Sequence, residues 1–146
     1  MIKKVLFFVL ICIVTLVGCG EKTTVFDIDS SKISTVDIFT GDVPSNAVKK
    51  TVTLSEDIVN IVNILNYIEI SEKATEEDIA FGGIGYYLVL NYSDGSCQAI
   101  HISSNGKVMT FEDLWVKISS KIDGDNLWTS LDYEEIKVGK EGLPEV

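Results

Sequence analysis

From Ile33 onward, apolar residues recur at two different periods, and the change of period marks the elements. Ile33 to Phe39 places Val36 and Ile38 at strand spacing, and Val48 to Leu54 sets Val48, Val52 and Leu54 among lysines and threonines. Between them, Gly41-Asp42-Val43-Pro44-Ser45-Asn46 is dense in turn formers, so the two runs read as a strand and its return. The period then lengthens. Ile58, Ile61, Val62, Leu65 and Ile68 recur at steps of three and four, which predicts a helix begun by Ser55 as cap with Glu56 and Asp57 in its first turn. Val59 and Ile64 widen the apolar stripe, so this is expected to be a long helix lying across a sheet.

Period two returns at Tyr86 and holds to Phe111, which reads as a three-stranded meander. Tyr86, Leu88 and Leu90 share one face, and Ile100 and Ile102 share one face of the next strand. A two-residue Asp94-Gly95 turn would set Val89 opposite Ile100 and mix the faces. A three-residue Ser93-Asp94-Gly95 loop with Gly95 left-handed instead pairs Leu88 with Ile100. The next turn fits as Asn105-Gly106, pairing Ile102 with Met109 and Ile100 with Phe111. The opposite face then carries Tyr87, Val89, Cys97, Ala99, His101, Val108 and Thr110. Leu114 to Ile118 reads as a further strand with Trp115 on one face, and Asp123-Gly124-Asp125-Asn126 caps a short helix over Leu127 to Tyr133. The expected fold class is α+β: an antiparallel sheet of about five to six strands with one long helix packed across a face. Residues 33–133 form one domain, residues 19–32 a tether rich in Thr, Ser and Asp, and residues 134–146 a polar tail that frays.

The N-terminus follows a different pattern. Lys3 and Lys4 precede an uncharged apolar run from Val5 to Val17, which ends in Leu16-Val17-Gly18-Cys19. Thirteen residues fall short of the roughly 20 needed to cross a bilayer as a helix. An Ala-x-Ala-like cleavage site is missing, as is the polar face of a core helix, which argues against an ordinary secretory signal and against a buried helix. The four residues resemble the lipobox of bacterial lipoprotein signal peptides: an aliphatic residue, a tolerant position, a small residue and a cysteine. The resemblance covers residues 1 to about 20. It implies cleavage between Gly18 and Cys19 and a diacylglyceryl group on the Cys19 sulfur. The chain is then held at the cell membrane by its lipid, on the outer leaflet and facing away from the cytoplasm. Two acyl chains suffice for stable anchoring, since each buried methylene contributes about 0.8 kcal/mol. All twelve basic residues are lysine, a bias that fits a Gram-positive source.

Removal of residues 1–18 leaves 146 − 18 = 128 residues, enough for one domain with a real core. It also removes two lysines and no acid, so the charge becomes (12 − 2) − 22 = −12. An acidic chain without arginine lacks both the electrostatic footprint and the bidentate base reader of a nucleic-acid binder, and no nucleic-acid partner is expected. Cys12 leaves with the signal and Cys19 is modified, so Cys97 stands without an intramolecular partner and reads as a small buried strand hydrophobe.

Three places invite chemistry. Cys97 and His101 lie four residues apart on one strand, about 13 Å, too far for a nucleophile and its base or for a zinc pair. Glu72, Glu76, Glu77 and Asp78, followed by Phe81-Gly82-Gly83-Ile84-Gly85, lack the alternation of a calcium loop and the strand-to-helix setting of a phosphate cradle, and read as a mobile loop. Asp123, Asp125 and Asn126 read as turn and cap, since the glycine is misplaced for calcium. No catalytic, cofactor or metal residue is therefore assigned. Phe81, apolar in an acidic loop, is the residue expected to touch a partner such as a cell-envelope protein or peptide. The arrangement also resembles, in architecture alone, small Gram-positive lipoproteins that join a strand pair, a helix and a hairpin ending in an Asp-Gly turn. The expected function is a non-enzymatic, membrane-anchored binding module; the alternatives are a small envelope enzyme using carboxylates or a metal, and a structural envelope protein.

Overall fold

The computed structural model describes residues 26–40, 44–82 and 85–145, with Phe81 described in its main chain only. Eight strands form one sheet in the order β3-β7-β6-β5-β4-β1-β2-β8, every neighbouring pair antiparallel. They are β1 Ile33–Thr40, β2 Val48–Val52, β3 Ile70–Lys73, β4 Tyr86–Tyr92, β5 Cys97–Ile102, β6 Val108–Phe111, β7 Leu114–Ile118 and β8 Ile136–Lys137. Among the described residues the helices are α1 Ser55–Asn66, α2 Glu76–Gly82 and α3 Gly124–Ser130. None of them is long and apolar enough to cross a membrane.

The α+β expectation is corrected on both counts. The sheet has eight strands, not five or six, and strand residues outnumber helical ones, so the chain is mostly β. The expected long helix is 12 residues, about 18 Å, while eight strands spaced about 4.8 Å apart span about 34 Å. It cannot lie across such a sheet. The two unforeseen strands are the edges. β3 reads Ile-Ser-Glu-Lys and β8 is two exposed residues; neither alternates, because each is held by main-chain pairing to one neighbour, β7 or β2.

One face of the sheet builds the core. Val36, Ile38, Val52, Leu88, Leu90, Ile100, Ile102, Met109, Val116 and Ile118 meet Ile58, Ile61, Val62 and Leu65 of α1, with Leu127 and Leu131 at the α3 end. Phe26, from the segment read as tether, joins this core edge-on to Phe111 at 5.3 Å between centroids. Ser55 does not cap α1: Leu54 holds the N-cap position, and its N–H is accepted by the Tyr133 hydroxyl, which donates to Asp57. Lys50 points into the same layer. Its ammonium donates to the main-chain oxygens of Trp128 and Leu131 at 3.0 and 2.8 Å, where the carbonyl end of α3 welcomes a cation.

The meander keeps two of its three expected pairings; the third, Ile100 with Phe111, is not made, because β5 and β6 pair only at Ile102 and Met109. Leu88 stands opposite Ile100, Gly95 has φ +88°, and Ile102 stands opposite Met109. The second turn differs in detail: Gly106 donates to the Ser103 carbonyl, and Gly106, not Asn105, takes positive φ. The acidic loop also folds. Thr75 and Asp78 form a reciprocal capping box, the Thr75 hydroxyl accepting from the Asp78 N–H and the Asp78 carboxylate accepting from Thr75, and this starts α2.

The β6–β7 connection is two residues, Glu112 and Asp113, at φ +47° and +62° with Phe111 opposite Leu114. Both are left-handed without being glycine, a conformation that Asn-Gly adopts with less strain. Replacing Glu112→Asn and Asp113→Gly together is expected to raise stability by about 1 kcal/mol, read as a higher denaturant midpoint. An unchanged or lower midpoint would contradict the strain.

Candidate functional site

The face of the sheet turned away from α1 carries a row of side chains set by register. Lys49, Phe39, Tyr87 and His101 stand opposite one another across β2, β1, β4 and β5, and Thr110 opposite Trp115 continues the row through β6 and β7. The Lys49 ammonium sits 5.9 Å from the Phe39 ring centre. Tyr87 stacks on His101 at 4.2 Å, and Trp115 meets the other side of the imidazole edge-on at 4.8 Å. These rings bury His101 to 7% exposure although it lies in mid-sheet. Burial alone holds its pKa down to about 4, so the ring is neutral at pH 7, and its Nε2 has no hydrogen-bond partner. Beside the row, Asp37 accepts from Thr51 and Asn91 and pairs with Lys49 at 3.4 Å.

Helix α2 covers one end of this face. A methyl group at Gly82 would stand 2.8 Å from the Ser103 Cβ, and the Ser104 hydroxyl donates to the Gly82 carbonyl. Lys117 bridges Asp78 and Glu72, both at 3.1 Å, and its pKa is raised by these two carboxylates, Asp78 foremost. The Thr75 main-chain N–H and hydroxyl, with help from Lys117, lower Asp78 to about 2. These acids are therefore occupied in fixing α2 to the sheet.

At the other end the sheet opens. Pairing between β5 and β6 is confined to Ile102 opposite Met109. At the next position the His101 N–H is accepted by the Thr110 hydroxyl. Beyond it the strands part around a groove of about 500 Å³, with Gln98 and Ala99 on one wall and Thr110, Phe111 and Trp115 on the other. Glu112, Asp113 and Glu145 stand at its rim, all exposed.

Gly18 and Cys19 lie outside the described residues. Phe81 falls in α2, with its side chain likewise outside them. Cys97, expected as a buried strand residue, is instead exposed opposite Asn91 near the hairpin turn, while His101 is buried opposite Tyr87, so the strand does not bring thiol and imidazole together. Asp123 accepts from the Asn126 N–H as the cap of α3, and Asp125 accepts from the Tyr86 hydroxyl. Among the described residues no three of His, Cys, Asp and Glu are grouped to hold a metal. The groove itself escaped the sequence: Thr110 and Trp115 show the right parity, but nothing local marks where β5 and β6 separate. Compared with protein-family models, with curated proteins and with solved structures, the chain matches none.

Proposed function

We propose that this chain is a lipid-anchored, extracytoplasmic binding module that is not an enzyme and offers the Tyr87–His101–Trp115 face and its groove to a cell-envelope protein or peptide. The observation that carries the binding half is the parting of β5 and β6, which leaves a groove walled by Thr110, Phe111 and Trp115 at the edge of an aromatic row. The rings on that row are locked by one another, so the face is rigid before any partner arrives, and rigidity lowers the entropy cost of binding. The anchoring half rests on Leu16-Val17-Gly18-Cys19. Membrane attachment through the lipid suits a body whose acidity repels anionic headgroups.

Cys19→Ala is expected to remove acyl mass from the purified protein and to abolish cleavage after Gly18, read by intact-mass spectrometry and membrane fractionation. A variant that keeps its acyl mass and its membrane retention would end the anchoring claim. For the binding half, a photo-crosslinking side chain placed at Thr51, on the same face, should give a discrete adduct in cells; absence of adducts from several positions on this face would remove the module reading.

A further inference from the structure

We propose that the gap between β5 and β6 takes up an extended, lysine-bearing peptide segment of a partner protein by strand addition. The proposal rests on the binding-module reading and names its partner chemistry. In the first hairpin Tyr92 donates to the Ser96 carbonyl, so Tyr92 and Ser96 form a hydrogen-bonded pair. Such pairs alternate along an antiparallel ladder. Gln98 and Ile100 therefore turn their main-chain groups toward β4, while Cys97, Ala99 and His101 turn theirs outward, toward β6. His101 meets the Thr110 hydroxyl there, but Ala99 and Cys97 have no partner residue on β6. The chain that would have paired with them bends away at Glu112 and Asp113.

An outward strand edge beside an open groove is a template for an added strand. Two outward residues offer up to two donors and two acceptors, and they can order about four residues of peptide at about 3.3 Å each. Side chains of the added strand would alternate between the Trp115 wall and the Gln98 wall, both half-buried. Charge selects the occupant. The groove presents Glu112, Asp113 and Glu145 and not one lysine, on a chain of net charge −10. Cations on the peptide answer those carboxylates, and an acidic strand would be repelled.

The test uses three capped peptides of about six residues. The first alternates lysine and valine, the second is its copy with every other main-chain amide N-methylated, and the third replaces lysine with glutamate. Binding to the full chain is read by tryptophan fluorescence, and contact with the edge by the alkylation rate of the exposed Cys97 thiol, located by mass spectrometry. The lysine peptide is expected to bind and to slow Cys97 alkylation at least about fivefold. N-methylation should weaken binding about tenfold or more, because it deletes donors without altering charge. The triple variant Glu112→Gln, Asp113→Asn, Glu145→Gln should weaken it comparably, as should raised salt. Equal binding of the N-methylated copy would reduce the effect to charge attraction and overturn strand addition. So would tight binding of the acidic peptide, or self-association of the chain that competes with the lysine peptide. If adducts form at Thr51 while no peptide binds, this proposal fails and the module reading stands; if neither occurs, both fail.

Discussion

Gly106→Ala is expected to cost about 4 kcal/mol or more and to lower the melting temperature by about 10 °C or more. Two independent penalties meet there. Its φ of +67° is a conformation that a Cβ disfavours by about 1–2 kcal/mol. In addition, the added methyl would lie 1.9 Å from the Ile122 carbonyl oxygen and 2.9 Å from the carbonyl carbon. That neighbour is backbone, and it cannot swing aside: Ile122 donates to the Gly106 carbonyl at 2.9 Å, and its side chain is buried in the core. Gly95 supplies the internal control. It has φ +88° with nothing within 4 Å of an added Cβ, so Gly95→Ala carries only the conformational penalty. Thermal unfolding followed by circular dichroism compares the two; equal losses would show that the Ile122 contact has no weight.

Gly106 also marks how far the sequence could be read. Asn105-Gly106 fixed the register of β5 on β6, because the alternation of Ile100, Ile102, Met109 and Phe111 admits few pairings that keep one face apolar. The same logic recovered Leu88 opposite Ile100. It could not recover β3 or β8, whose few residues carry no apolar rhythm and are ordered by neighbours distant in the chain. Helix α2 is a different case. Thr75 and Asp78 are spaced as a capping box, a signal present in the sequence but hidden when Glu76, Glu77 and Asp78 are read as a charge run. Helix α1 came out shorter than its apolar stripe implied, since Ile68 is buried beyond Tyr67, the C-cap.

Chemistry was less legible than fold. Strand parity placed His101 with Tyr87 on the outer face, but its burial depends on Trp115, two strands away, packing against it. The groove depends on a ladder that stops, and a ladder's length is a tertiary property. Thr110 shows why: its hydroxyl, not its carbonyl, accepts the His101 N–H, and the strands diverge from that point.

The neutral state of His101 yields the second large effect. An unfolded chain protonates its histidine near pH 6.5, whereas the buried ring resists protonation until about pH 4. Between those values the unfolded state binds a proton that the folded state excludes, so stability falls as pH falls. The contribution is fully present above about pH 6.5 and is lost by about pH 4, amounting to on the order of 2–3 kcal/mol. His101→Phe removes the titration and keeps a flat ring to stack on Tyr87. It also removes the unpartnered Nε2, a desolvated polar atom that costs about 1–3 kcal/mol. The variant is therefore expected to equal or exceed the parent at pH 7.5, and its advantage should widen by about 2 kcal/mol at pH 4.5. Carboxylates titrating in the same window are common to both proteins and cancel in the difference. Urea unfolding at pH 7.5, 5.5 and 4.5 reads that difference directly. Parallel curves would mean that the imidazole takes up its proton inside the folded sheet, and that Tyr87 and Trp115 do not keep water from it.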